Sequence, residues 1–134
     1  SQIILWPYTD LSDSRWRFGH SYITFSQDKT KGPNKIGMAH KLKWVGYLLG
    51  SNLFVKTFDY LEGRHYPDNG ANLETFSNQE FLEVESLGPI QSITPGKFIE
   101  HVEHWYLLKD ISRDLTDQGI DKNIKPQVER LINQ

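Results

Sequence analysis

Two glutamates, Glu83 and Glu85, stand two positions apart in the segment FLEVESL, where apolar residues alternate with them. Side chains alternate between the two faces of a β-strand, so both carboxylates would project from one face, about 6.5–7 Å apart by strand rise. At an effective dielectric near 20 their repulsion is about 2.4 kcal/mol. On a concave surface this repulsion would raise the pKa of one carboxylate toward the range of a general base. We predict Glu83 and Glu85 as catalytic candidates, the alternative being a solvated strand face.

Several other residues are of the types that contact sugars in binding sites. Trp rings stack on the apolar faces of sugar rings, while acids and Lys hydrogen-bond to the hydroxyls. Trp44 lies close in sequence to Lys41, and His65 stands in a turn-rich segment, RHYPDNG, as loop residues that face substrates often do. Core packing is the alternative for Trp44, and a surface position is the alternative for His65. The predicted substrate-binding residues are His65, Glu74, Trp44 and Lys41.

Metal and cofactor motifs are weak or absent in the sequence. His101 and His104 form an HxxH pair, but no third ligand stands at a recognisable distance. The chain has no cysteine, which excludes a thiolate nucleophile and a Cys-ligated zinc site. It also has no P-loop, GxGxxG or GxSxG element. We therefore expect neither a metal nor a cofactor.

Length and charge narrow the class of protein. The chain has 134 residues, which fits one domain, and a formal net charge of -2, which is unlike a broadly basic nucleic-acid binder. No apolar run approaches the roughly 18 residues of a membrane span, and no signal peptide is evident. We therefore expect a cytoplasmic protein that binds neither nucleic acid nor membrane.

Short runs of aromatic and β-branched residues predict an all-β fold, an antiparallel β-sandwich or barrel. A polar stretch, 27–37, predicts an exposed loop. The predicted strands are a pair within 38–50, one strand at 52–60, and two more at 73–76 and 81–87. We assign residues 1–110 to the β portion and 111–134 to a polar tail with a short helix over 125–133, where Pro126 lies in the first turn.

The segment after Thr94 has two interpretations. As a helix capped by Thr94, it would carry Phe98, Val102 and Trp105 on one apolar stripe. As a strand, it would divide its apolar residues between two faces. Periodicity alone favours the helix slightly.

Four phrases of the sequence resemble a known superfamily: WPYTDLSDSRWRFG, KIGMAHKLKWVGYLL, LFVKTFDYLEGRHYPDNGANLETFSNQEFLEVESLGP and ITPGKFIEHVEHWYLL. Over roughly residues 4–109 they are similar to the C-terminal half of uncharacterised galactose mutarotase-like (aldose 1-epimerase-like) proteins. The resemblance implies part of a β-supersandwich with a concave sugar-binding cleft, and it implies a strand over 98–108. It implies a carbohydrate ligand and, by extension, epimerase-type acid–base chemistry at the anomeric centre. A non-catalytic sugar-binding domain and a structural domain of a larger protein remain the alternatives.

The resemblance also bears on individual residues. The epimerase general base stands in a Leu-Glu-Thr-Gln-like phrase, which matches Leu82 to Glu85, so Glu83 is the literal counterpart and Glu85 the counterpart after a shift in register. None of the histidines matches the epimerase general acid, which lies in the N-terminal half of that fold. Half of a supersandwich would expose sheet edges and core. We therefore expect a homodimer or a fragment of a longer chain.

Overall fold

The computed structural model describes residues 2–134, and most of its regular structure is antiparallel β. The strands are β1 (Gln2–Leu5), β2 (Trp16–Phe18), β3 (Ile23–Phe25), β4 (Asn34–Ala39), β5 (Trp44–Leu49), β6 (Asn52–Phe58), β7 (Leu73–Ser77), β8 (Leu82–Ser86) and β9 (Glu103–Leu108). The helical elements are the single turn α1 (Pro67–Gly70) and the helices α2 (Asp117–Asn123) and α3 (Lys125–Ile132). No helix in this part of the chain is long and apolar enough to cross a membrane.

The contacts of the chain divide it into two compact units. Unit 1 comprises the described residues up to 10, together with 27–43 and 58–103, and unit 2 comprises 11–26, 44–57 and 104–134. A four-stranded antiparallel sheet in the order β1-β4-β7-β8 is the framework of unit 1. In the tight turn between β7 and β8, the Asn78 side-chain oxygen accepts hydrogen bonds from the backbone N–H groups of Glu80 and Phe81. This turn fixes the register in which β8 pairs with β7.

The segment that follows β1 is tied to β4 by side-chain hydrogen bonds. The Thr9 hydroxyl accepts from the Trp6 backbone N–H at 2.8 Å and donates to the carbonyl of Lys35 at 2.5 Å. The Asn34 side chain bonds to the backbone of Asp10 in both directions. Trp6 consequently lies against Gly37, where a Cβ atom would come within 3.0 Å of the indole ring. Glycine at this position lets the ring approach the sheet.

Unit 2 has its own apolar core beneath the sheet β5-β6-β9. The inward side chains of β6 and the apolar faces of α2 and α3 supply it, and its buried members are Leu53, Val55, Ile111, Ile120, Ile124 and Val128. Helix α2 is capped by Thr116, whose hydroxyl accepts a hydrogen bond from the Gly119 N–H. A separate hairpin, β2–β3, places Trp16 in a stacked contact with Phe25.

The predicted fold class is confirmed: the chain is all-β and antiparallel, with a short helical segment at its C-terminal end. Strand β6, the β7–β8 pair and helix α3 lie where the sequence predicted them. The predicted pairing within 38–50 is wrong, because β4 pairs with β1 and β7 while β5 pairs with β6. The predicted loop over 27–37 is too long, because β4 begins at Asn34. The Asn34 side chain is buried and hydrogen-bonds to the backbone of Asp10.

The helix favoured after Thr94 is also wrong. The structure has a turn at Pro95 and Gly96, an irregular stretch in which Phe98 is 80% exposed, and then strand β9. Strand pairing supplies β9 with its backbone hydrogen bonds, and Tyr106 and Leu108, two residues apart, pack on the core of unit 2. The strand implied by the resemblance is therefore confirmed for Glu103–Leu108.

Candidate functional site

Three glutamates lie on one face of the unit 1 sheet. Glu74 on β7 is directly opposite Glu85 on β8, and Glu83 is opposite the next residue of β7 on the same face, Phe76. On the other side of β7, Glu74 is opposite Gly37 of β4, while Lys35 of β4 shares the face two residues away. We call Lys35, Glu74, Glu83 and Glu85 the acidic face.

Lys35 is the counter-ion of this face. Its Nζ lies 2.6 Å from Glu74 Oε2 and 3.8 Å from Glu85 Oε1. The same ammonium group lies 4.7 Å from the centre of the Trp6 ring, a cation–π contact. The Glu74 side chain is only 2% exposed and that of Lys35 16%, whereas the Glu85 side chain is 36% exposed. Glu85 is thus the member of the ion-pair group that a ligand can reach most readily.

The environment shifts the pKa values of this group. Burial and the neighbouring Glu83 carboxyl raise the pKa of Glu85 to about 7, although the charge of Lys35 acts in the opposite direction. Burial also raises the pKa of Glu74, with Lys35 opposing and Asp68 adding to the rise. Burial acts to lower the pKa of Lys35, but Glu74 and Glu85 together raise it above its ordinary value. The face therefore combines a permanent cation with a carboxyl that is half-ionised near neutral pH.

Asp68 adds a fourth carboxyl, from the turn α1. Both Asp68 and Asn69 adopt left-handed backbone angles, with φ of 50° and 61°, a conformation that Asp and Asn tolerate better than most residues. The Asp68 carboxyl lies within hydrogen-bonding reach of Glu74. Among residues 2–134, no donor reaches the buried Glu74 Oε1 atom. Two carboxyls this close can share one proton, and this hydrogen bond is one of the causes that raise the pKa of Glu74.

The remaining predicted binding residues lie elsewhere. The Lys41 side chain is 59% exposed and forms an ion pair with Glu62 at 2.5 Å. His65 is exposed, and its carbonyl accepts the backbone N–H of Ile90 at 2.8 Å. Trp44 belongs to unit 2 and packs against the core of that unit, which was the alternative to sugar binding for this residue. The structure thus brings together Glu74, Glu83 and Glu85 from the predicted set.

Lys35, Asp68 and Trp6 were not among the residues predicted from the sequence. Lys35 falls in the stretch predicted as an exposed loop, so its inward direction could not be anticipated. For Asp68, the signal was present in the PDNG turn, which stands a few residues before Glu74. Trp6 could not be placed over β4 from sequence, because its position depends on the hydrogen bonds of Thr9 and Asn34.

The histidine pair takes no part in a metal cluster. His101 Nε2 lies 2.8 Å from the Ser86 hydroxyl, which also hydrogen-bonds to Glu103. His104 lies on β9 and is exposed. Within the described residues, no group of three or more His, Cys, Asp or Glu side chains is arranged to hold a metal ion.

Unit 2 contains a shallow depression of about 490 Å³. It lies between the start of β6, the segment after β9 and the helices, and is lined by Ser51, Asp110, Ile111, Ser112, Lys122, Asn123, Pro126, Gln127 and Arg130. None of the predicted site residues lines it. The acidic face of unit 1 is therefore the candidate site that the predicted residues support.

Comparisons with known proteins leave this site to be interpreted from its own geometry. Protein-family models, curated proteins and solved structures gave no significant match to the chain. The resemblance to galactose mutarotase-like proteins accordingly stays a prediction.

Proposed function

We propose that the chain binds sugars at the acidic face and catalyses their mutarotation, with Glu85 as the general base on the anomeric hydroxyl. The observation that carries this proposal is the raised pKa of Glu85 together with the exposure of its side chain. Its pKa is raised to about 7, and its side chain is 36% exposed while its neighbour Glu74 is buried. A general base is most effective when its pKa lies near the working pH and it can reach the proton it removes.

The proposed reaction needs one base and a source of protons. Glu85 removes the proton from the hydroxyl at C1, the C1–O1 double bond forms as the bond from C1 to the ring oxygen breaks, and water protonates the released ring oxygen. After rotation about the C1–C2 bond, the released hydroxyl adds to the other face of C1 and gives its proton to the hydroxide that this water became, while Glu85 returns its proton to O1. Acid–base catalysis by one positioned group contributes about 10²–10⁴-fold, which is useful for a reaction that already proceeds in water.

Lys35 and Trp6 have supporting roles in this proposal. The ammonium group of Lys35 holds Glu74 and Glu85 in place and can donate a hydrogen bond to a sugar oxygen. The Trp6 indole, next to that ammonium, offers the kind of aromatic face that packs on sugar rings.

Of the two predicted acids, the environment favours Glu85 over Glu83. Glu83 is exposed on the same strand, and Glu85 is opposite Glu74 and beside Lys35. The counterpart after a shift in register is therefore the base that we propose. Glu83 then has a supporting role, because its hydrogen bond to Glu85 and, to a smaller extent, its charge raise the pKa of Glu85.

The second candidate function is sugar binding without catalysis. It is favoured by the ion pairs of Lys35 with Glu74 and Glu85, because structural ion-pair networks also perturb pKa values. If this second function is the correct one, the protein will bind sugars and leave their mutarotation rate unchanged.

The pH dependence of mutarotation tests the proposal. Fresh α-D-glucose or α-D-galactose is followed by polarimetry with and without the protein from pH 5 to 9, after subtraction of the buffer rate. Glu85 must be ionised to act as base, so kcat/KM should rise about tenfold per pH unit below pH 7 and level off above it.

The variant Glu100→Gln is the matched control, because Glu100 is an exposed glutamate outside the acidic face. It should reproduce the profile of the unmodified chain. A rate equal to that of buffer at every pH would exclude catalysis of these two sugars, and sugar binding in the same samples would then support the second candidate function.

A further inference from the structure

The depression in unit 2 is a second place where polar side chains converge. It is lined from four segments, the turn between β5 and β6, the stretch after β9, and the helices α2 and α3, and all of its lining residues belong to unit 2. Its volume of about 490 Å³ falls in the range of pockets that hold small molecules, about 300–1,000 Å³. A lone inorganic ion would leave most of this space empty.

Two cationic side chains, Lys122 on α2 and Arg130 on α3, line the unit 2 depression. Backbone hydrogen bonds, such as that from the Val128 N–H to the Ile124 carbonyl, carry the helical path through the junction of α2 and α3. The two Cα atoms, eight positions apart, are therefore separated by about 12 Å along this path. Pro126, midway between them, also lines the depression, so both long side chains border the same space.

Both cations are open to a ligand. Arg130 donates a hydrogen bond through Nε to the Pro126 carbonyl at 3.3 Å. Within residues 2–134, its terminal Nη groups and the Lys122 ammonium have no hydrogen-bond or ion-pair partner. Lys125, which does not line the depression, is instead paired with Glu129 at 3.8 Å. A guanidinium with free Nη groups binds phosphate in a two-point contact, and a lysine adds a second point charge.

The rest of the lining favours a ligand rich in hydroxyl groups. Its polar members are two hydroxyls, two amides and one carboxylate, from Ser51, Ser112, Asn123, Gln127 and Asp110. Its apolar members are Ile111 and Pro126, and it includes no aromatic ring on which a nucleotide base could stack. The Asp110 carboxylate accepts hydrogen bonds from hydroxyls and repels a second negative group. A ligand with one anionic end and several hydroxyls matches this pattern.

We propose that the unit 2 depression binds a phosphate monoester of a polyol, the class to which sugar phosphates belong. The phosphate lies between Lys122 and Arg130, and the hydroxyls of the ligand reach Asp110 and the two serines. A phosphate monoester carries a charge of about −1.5 to −2 at pH 7, which the two cations balance. This inference goes beyond the proposed function, because it adds a second binding site with a different ligand class.

Calorimetric titrations test the inference. D-Glucose 6-phosphate, D-glucose and inorganic phosphate are titrated at pH 7.5 and low ionic strength into the unmodified chain and into the variants Arg130→Gln and Lys122→Gln. Lys125→Gln is the matched control, because it removes the same charge from the same helical segment at a residue outside the depression. All three side chains are exposed and glutamine is a good helix former, so the variants should fold.

We expect glucose 6-phosphate to bind the unmodified chain about tenfold more tightly than inorganic phosphate or glucose, because only the ester engages both the cations and the hydroxyl-binding groups. Arg130→Gln and Lys122→Gln should each weaken its binding by about tenfold, since each loses a charge-assisted hydrogen bond. Lys125→Gln should weaken it by less than about threefold, because a charge that does not touch the ligand is screened by solvent and salt.

Three results would overturn the inference. Equal losses in Lys125→Gln and Arg130→Gln would show that phosphate is attracted by the charge of the helical segment as a whole and not by a site. Inorganic phosphate that binds as tightly as the ester would exclude the polyol as part of the ligand. Absence of glucose 6-phosphate binding to the unmodified chain would exclude the site itself and leave the proposed function standing, because the acidic face belongs to unit 1.

Discussion

The variant Glu85→Gln should lose the protein-dependent acceleration of mutarotation almost completely. An amide has nearly the shape of the carboxyl but cannot accept the anomeric proton, so we expect kcat/KM to fall by about 10²–10⁴-fold. Polarimetry measures this loss directly. Glu85 is partly exposed at an edge strand, so the fold should survive, which circular dichroism can verify.

The neighbouring acid provides the comparison for that result. Glu83→Gln should leave kcat/KM within about tenfold of the unmodified chain and should move the midpoint of the pH profile to lower pH. The direction follows because Glu83 helps to raise the pKa of Glu85. A larger loss in Glu83→Gln than in Glu85→Gln would assign the base to Glu83, the literal counterpart in the resemblance, and would contradict our choice.

Lys35→Met should destabilise the fold by about 3 kcal/mol, the typical cost of leaving a buried charge without its partner. Glu74 is 2% exposed and its carboxylate would lose the ammonium group at 2.6 Å. Urea unfolding measures the change. Without Lys35 the pKa values of Glu74 and Glu85 rise further, so the stability that the fold keeps at low pH is lost as pH rises through these pKa values. The variant should therefore be weakest relative to the unmodified chain at high pH.

Two further variants show whether the loss arises from the buried carboxylate. Adding Glu74→Gln to Lys35→Met should recover part of the stability, because the remaining amide no longer needs a cation. Lys41→Met should leave the unfolding midpoint nearly unchanged, since Lys41 and Glu62 are both exposed. Equal losses in Lys35→Met and Lys41→Met would show that the acidic face holds no buried ion pair.

The strands that could be predicted from the sequence are those with a strong local signal. In β6, β-branched and aromatic residues alternate and the odd positions Leu53 and Val55 are buried. In β8, Glu83 and Glu85 alternate with Leu82 and Val84, so their shared face followed from the period of two.

What could not be predicted depends on contacts between distant segments. The direction of Lys35 depends on β4 pairing with β7, which brings it to Glu74 across 39 positions of sequence. The spacing of apolar residues in β9 favours a helix. The segment is nevertheless a strand, because pairing in the sheet β5-β6-β9 outweighs this local periodicity. The expected homodimer or longer chain, the carbohydrate ligand and the cytoplasmic location stay predictions.

The most direct test of this account is a carbon-13 NMR titration of the Glu85 side-chain carboxyl, with the signal assigned by its absence in Glu85→Gln. We expect a midpoint near pH 7 that moves when a saturating sugar is added. A midpoint at the ordinary value of about 4.3 that does not respond to any sugar would contradict the account.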